Sequence, residues 1–169
     1  MRPVTGLLAV SGVAFLLFGG SQQDRVPWIV WNASASVPIG LYAVRSAGQP
    51  AVGDLVAVRP PEHVAEWLHS RGFLDRDALL LKRIAAADGA IICRHEATVL
   101  IDGMPAAVAA SGDRFARELP VWHGCRRLGK GDVFLLNPNE PRSLDSRYFG
   151  PFDAETIVGR LLPLWTRGG

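Results

Sequence analysis

Two serines lie in a segment that could hold a hydroxyl ready to attack a carbonyl group. Ser34 and Ser36 precede Pro38 and Gly40, which fix the backbone as a turn. Attack requires such a fixed, exposed oxygen, because it must meet the carbonyl carbon at near-bonding distance. If the segment is extended, both hydroxyls point the same way, and Ser34 could donate to an oxyanion beside the Ser36 N–H. A turn serine without chemistry is the alternative.

Lys82, within the apolar run from Leu79 to Ile84, is the candidate base for this serine. The usual histidine arrangement has little support, because G-x-S-x-G is absent and the four histidines lie in polar or irregular contexts. If residues 79–87 form a strand, Leu80, Lys82 and Ile84 share one face, and the ammonium points toward the core. Burial would lower its pKa and yield a neutral amine able to accept a proton. A lysine whose head reaches water is the alternative.

A third segment, Ser143-Leu-Asp145-Ser146-Arg147, could support the amine. The Ser143 hydroxyl could orient the neutral amine, and the Asp145 carboxylate could hold the loop through Arg147 or backbone N–H groups. A carboxylate too close to Lys82 would raise the pKa of the amine and oppose catalysis. Asp145 is therefore assigned a structural role with electrostatic influence.

The elements that must position these residues are mainly strands. A short helix is predicted between Pro61 and Gly72, and Asp102-Gly103 predicts a hairpin turn. Residues 108–129 are predicted to be irregular, within an inserted lobe at about 90–129 of a domain spanning 26–169. The predicted strands cover residues 41–44, 53–58, 79–87, 90–94, 98–101, 131–136 and 156–165.

The N-terminal 25 residues predict a transmembrane anchor and a polar joint. Residues 3–23 carry no charge, and a helix of that length rises about 30 Å, enough to cross a bilayer core. Arg2 precedes it, which favours a cytoplasmic N-terminus. A cleaved secretory signal is the alternative, and both predict an exported domain. The apolar residues 26–31 either lie at the membrane interface or begin the core as a strand.

Charge and cysteine content limit the partners and the metal or disulfide sites that the chain could have. The net charge of +2, without a basic tract, argues against a nucleic-acid partner. Cys93-Arg-His95 and His123-Gly-Cys125 mirror each other, so three outcomes stay open: a disulfide, free thiols or a Cys2His2 zinc site. A Cys93–Cys125 disulfide is the simplest in an exported domain, so no metal is assigned.

Taken together and in order, the three segments resemble the signature boxes of the conjugative-transfer group (TraF group) of the type I signal peptidase family, which are serine–lysine proteases. The resemblance covers nearly the whole chain. General signal peptidases carry a methionine after the serine and one more residue before the proline, a departure that favours the conjugative branch. The matching residues are Asn32-x-Ser34-x-Ser36-x-Pro38-x-Gly40-x-Tyr42, Lys82-Arg83, Ser143-x-Asp145-Ser146-Arg147-Tyr148-Phe149-Gly150, and Gly159-Arg160 with Pro163-Leu164-Trp165.

The resemblance implies roles for individual residues. Ser36 would be the nucleophile and Lys82 the general base. Ser34 would contribute to the oxyanion hole, Ser143 would position the lysine, and Asp145 would support the site. It also implies a signal-peptidase-like β fold that needs no cofactor.

The resemblance further implies a serine endopeptidase anchored in the inner membrane by a single span, with a periplasmic catalytic domain. Its substrate would be a secreted precursor, a conjugative propilin or another component of the conjugation pore, cut after a small residue and in some relatives cyclised. The partners would be that precursor, the lipid bilayer and other conjugation machinery. A general signal peptidase and a non-catalytic envelope assembly factor are the alternatives. A soluble self-cleaving repressor is disfavoured by the apolar N-terminus.

Overall fold

The computed structural model describes residues 26–167, which form a mainly β domain with few helices, as predicted. The helices are α1 (Glu62–Ser70) and α2 (Ser146–Phe149), and a 3-10 turn covers Ala154–Thr156. The strands are β1 (Ile29–Asn32), β2 (Gly40–Arg45), β3 (Leu55–Val58), β4 (Leu80–Ala86), β5 (Ile91–His95), β6 (Thr98–Ile101), β7 (Met104–Val108), β8 (Gly124–Arg127), β9 (Asp132–Leu136), β10 (Phe152–Asp153) and β11 (Ile157–Thr166).

The larger sheet has seven antiparallel strands in the order β1-β2-β11-β3-β4-β9-β10. Strand β4 lies inside it, between β3 and β9, and pairs Lys82 with Val56. The period-two alternation expected for β4 is present, because Leu80 and Ile84 enter one core cluster and Leu81 enters another. Lys82 therefore shares the face of Leu80 and Ile84.

Helix α1 covers one face of this sheet. Pro61 precedes it, where a fixed φ suits the start of a helix, and Gly72 follows with φ 69°, a conformation that favours glycine. Val64 and Leu68 are buried in the cluster that contains Ile84. The sequence predicted this helix to within one residue of its observed end.

The smaller sheet, in the order β7-β6-β5-β8, lies within the interval of the predicted lobe. The turn between β6 and β7 falls at Asp102–Gly103, as predicted. The prediction that 108–129 is irregular is wrong at β8, a strand paired with β5. All four β8 residues are exposed, so the apolar alternation that reveals a strand is missing there. A disulfide joins Cys93 of β5 to Cys125 of β8.

The N-terminal part of the larger sheet leaves aromatic side chains uncovered. Residues 26–31 contribute to edge strand β1, yet Trp28 is 87% exposed, and Trp31 stacks on Trp165 with ring centroids 6.1 Å apart. The predicted transmembrane helix belongs to residues 1–25 and lies outside the described residues. Within residues 26–167, neither helix has the length and apolar content that a bilayer crossing requires.

Candidate active site

Lys82 is the buried cation of strand β4, with 3% of its surface exposed. Its Nζ donates a 2.9 Å hydrogen bond to Ser143 Oγ, in the loop before α2. Burial lowers the pKa of Lys82 from an ordinary 10.5 to about 8; the Asp145 carboxylate opposes this shift and the Arg147 guanidinium assists it. At pH 7 about a tenth of the molecules then carry a neutral amine, against fewer than about one in a thousand for a solvated lysine.

Asp145 and Arg147 form a buried ion pair beside this lysine, with side chains 0% and 1% exposed. The pair is bidentate: Arg147 Nε donates to Asp145 Oδ1 at 2.8 Å and Nη2 donates to Oδ2 at 3.0 Å. Asp145 also accepts from the backbone N–H of Arg147 and so caps α2, a helix that the sequence left as a loop. The two charges shift the pKa of Lys82 in opposite directions, and the carboxylate has the larger effect.

Asn137, at the end of β9, fixes the backbone on both sides of Lys82. Its Nδ2 donates to the Leu81 carbonyl at 3.0 Å, and its Oδ1 accepts from the Arg83 N–H at 3.2 Å. Its own backbone N–H donates to Asp145 Oδ2 at 3.1 Å. Sequence reasoning missed this residue, because its role depends on contacts more than fifty positions away.

Arg94 connects the smaller sheet to the segment from Ser143 to Arg147. Arg94 is only 4% exposed, and its polar atoms have partners inside the domain. Its Nη1 donates to the Arg147 carbonyl at 2.7 Å, and its Nε donates to the Glu96 carbonyl at 3.0 Å. Trp122, in the stretch just before β8, donates from its Nε1 to the Ser146 carbonyl at 3.1 Å. The segment from Ser143 to Arg147 is thus held by both sheets, a role for Arg94 and Trp122 that the sequence did not indicate.

The two serines lie in a turn organised by Asn32. The buried Asn32 Nδ2 donates to the carbonyls of Ser34, Val37 and Pro38 at 2.8–3.1 Å. Asn32 Oδ1 accepts from the N–H and the hydroxyl of Ser34. Ser34 Oγ and Ser36 Oγ lie 2.9 Å apart, so the hydroxyls meet although the segment turns instead of extending.

The structure thus brings the predicted residues together in two groups. One contains Ser34 and Ser36, and the other contains Lys82 and Ser143 with the adjacent ion pair. Within residues 26–167 no hydrogen bond joins Ser36 Oγ directly to Lys82 Nζ, whose partner is Ser143.

The serine turn ends where the backbones of β2 and β11 approach each other closely. A Cβ at Gly40 would lie 2.1 Å from the Trp165 carbonyl oxygen, so only glycine allows β2 and β11 to meet there. Tyr42, which follows on β2, donates from its hydroxyl to the Pro38 carbonyl at 2.5 Å. The resemblance included both residues without giving them a role.

A β domain with a buried, pKa-shifted lysine and a paired serine turn is what a serine–lysine peptidase requires. The family model described as signal peptidase, peptidase S26, matches residues 4–165. This chain belongs to that family, and membership implies a serine peptidase of the hydrolase class.

Relatives cover nearly the same length. The chain is 28% identical to the plasmid transfer protein TraF of Escherichia coli over 96% of both chains. It is 30% identical to the conjugal transfer protein TraF of Agrobacterium fabrum, over 98% of this chain and 97% of the relative. A crystal structure of a signal peptidase I from Enterococcus faecalis V583 matches 71% of this chain and 100% of its own, with 20% identity and a TM-score of 0.42.

Proposed function

We propose that this chain is a serine endopeptidase of plasmid conjugation, in which Ser36 is the nucleophile and Lys82 the general base. The observation that carries the proposal is the burial of Lys82, whose pKa of about 8 makes a neutral amine accessible near physiological pH. The names of the TraF relatives support a role in conjugation. The proposed substrate is a secreted, pilin-like precursor cut after a small residue.

The reaction begins when Ser36 Oγ gives its proton to Lys82 Nζ and bonds to the scissile carbonyl carbon. The resulting oxyanion accepts hydrogen bonds from the Ser36 N–H and from the Ser34 hydroxyl, which must rotate away from Asn32. Lys82 then returns the proton to the leaving amine as the C–N bond breaks. A water molecule, or an amine of the same substrate, then gives a proton to Lys82 and attacks the acyl carbon. The ester C–O bond breaks, Ser36 Oγ takes the proton back from Lys82, and a linear or a cyclic product leaves.

This mechanism requires Ser36 Oγ to come within hydrogen-bond reach of Lys82 Nζ when substrate is bound. Catalytic hydrogen bonds often tighten only in the substrate complex, so a longer separation in the free enzyme is compatible with the role. Ser143 holds the amine at one side, and the Asn137 contacts hold the strand that carries it.

The proposed location is the periplasmic side of the inner membrane, with residues 1–25 as the anchor. Exposed apolar side chains at one end of the larger sheet support a position at the bilayer surface, because aromatic rings favour the interface. The set comprises Trp28, Ile29, Trp31, Leu162, Leu164 and Trp165. The Cys93–Cys125 disulfide suits an oxidising compartment.

The test is coexpression of a candidate pilin precursor with Ser36→Ala or Lys82→Ala, followed by mass spectrometry. Both variants should stop processing, whereas the matched controls Ser46→Ala and Lys130→Ala should process normally. Linear and cyclic products differ by the mass of one water molecule. Retained processing in either active-site variant would refute the assignment. Labelling of Ser36 by a penem-type acylating inhibitor separates this enzyme from a non-catalytic assembly factor.

A further inference from the structure

The exposed face of the smaller sheet carries a disulfide and imidazole groups that the proposed peptidase reaction does not use. We propose that this face binds one zinc ion when the Cys93–Cys125 disulfide is reduced, through Cys93, Cys125, His95 and His123. Soft thiolate and imidazole ligands are the set that Zn2+ prefers in four-coordinate protein sites.

Strand register brings Cys93, His95 and Cys125 to one face, and His123 adjoins it. Strands β5 and β8 are antiparallel, with Cys93 opposite Cys125 and Arg94 opposite Gly124. Side chains two positions apart on a strand point the same way, so His95 shares the face of Cys93 while Arg94 points inward. His123 directly precedes β8 and lines the same cavity as His95.

Distances support the arrangement of three of the four proposed ligands. The ligand atoms of Cys93, His95 and Cys125 all lie within 4.8 Å of one another. A tetrahedral site with Zn–S about 2.3 Å and Zn–N about 2.0 Å needs ligand atoms roughly 3.3–3.8 Å apart, a difference that side-chain rotation can supply. His95 and His123 also line one open cavity of about 710 Å³, which gives an ion access from solvent.

The disulfide and the zinc site exclude each other, because both use the same two sulfurs. A dithiol reductant would give two electrons and two protons to the S–S bond and itself become a cyclic disulfide. Zinc would then displace the two thiol protons. Cys125 is exposed, so a reductant can reach the bond.

The experiment uses the full chain in detergent, purified with a histidine-free tag, in oxidised and dithiol-reduced forms under anaerobic conditions. Zn2+ is titrated against a chromophoric chelator, and Co2+ serves as a spectroscopic probe of thiolate ligation. The variants His95→Ala and His123→Ala retain both cysteines, so their folding is verified in the oxidised form first. His69→Ala, on α1, is the matched control.

The reduced chain should bind one zinc per molecule and the oxidised chain none. Losing either His95 or His123 should weaken binding by about tenfold or more, whereas His69→Ala should not. Bound zinc should also slow alkylation of both thiols. The proposal is overturned if the reduced chain binds no zinc, if the oxidised chain binds it equally, or if either histidine variant leaves the affinity unchanged. None of these results depends on peptidase activity, so failure here leaves the proposed function intact.

Discussion

The Lys82 amine and the Ser143 hydroxyl, 61 positions apart in sequence, meet at 2.9 Å in the interior of the domain. This contact is the only hydrogen bond of the amine within residues 26–167, and it joins strand β4 to the loop before α2. The amine is therefore fixed in direction while burial keeps the pKa of its conjugate acid low.

The first prediction concerns pH. Because Lys82 must be neutral to accept a proton and its pKa is about 8, kcat/KM should rise about tenfold per pH unit below 8 and level off above it. Initial rates of precursor cleavage by the full chain between pH 6 and 10 provide the measurement. An apparent pKa near that of a solvated lysine would contradict the assignment.

The second prediction concerns stability. The folded pKa of Lys82 is lowered below its unfolded value, so the unfolded chain binds more protons between pH 8 and 10.5, and stability contributed by this group rises with pH. Lys82→Met removes that dependence. The wild type gains about 2–3 kcal/mol of stability from this group between pH 7 and pH 10, and the variant does not. The free energy of unfolding of Lys82→Met minus that of the wild type should therefore fall by that amount.

Denaturant titrations of the full chain in detergent, followed by tryptophan fluorescence, measure this difference. Lys130→Met is the control, because Lys130 is the only other lysine in the sequence and is exposed. It should show no comparable trend. A constant difference across this pH range would mean that the buried amine is not the group that titrates.

The third prediction concerns the role of Ser143 in positioning the Lys82 amine. Ser143→Ala removes the partner of the amine without adding bulk, so kcat should fall by about 100-fold, the cost typical of a misplaced reacting group. KM should change little, and the apparent pKa of the pH profile should move down, because the lost hydrogen bond stabilised the charged amine. Ser111→Ala, an exposed serine, is the control. An unchanged profile would show that Ser143 does not position the amine.

The fourth prediction concerns the ion pair. Arg147→Met leaves the fully buried Asp145 carboxylate without its partner and should lower the free energy of unfolding by about 3–5 kcal/mol. Glu66→Gln breaks the exposed Glu66–Arg76 pair and should cost about 1 kcal/mol or less. Equal losses in the two variants would argue that the buried pair is not the stabilising element.

The sequence could predict features that depend on local patterns. Period-two alternation indicated the inward face of Lys82, and the bounding proline and glycine indicated helix α1. It could not predict Asn137 or Arg94, because their partners lie 56 and 53 positions away and nothing in their neighbourhoods marks them. Strand β8 was missed for a related reason, since it is defined by its pairing with β5 and not by its own composition.

The burial of Lys82 depends on chain that is synthesised long after it. Ser143, Asp145 and Arg147 emerge about sixty residues later, and Arg147 joins the carbonyl of Val108 to those of Asn137 and Pro141 in the loop after β9. Until those segments assemble, the amine remains hydrated and protonated. The side-chain environment that the proposed base needs would thus arise only when the domain is complete.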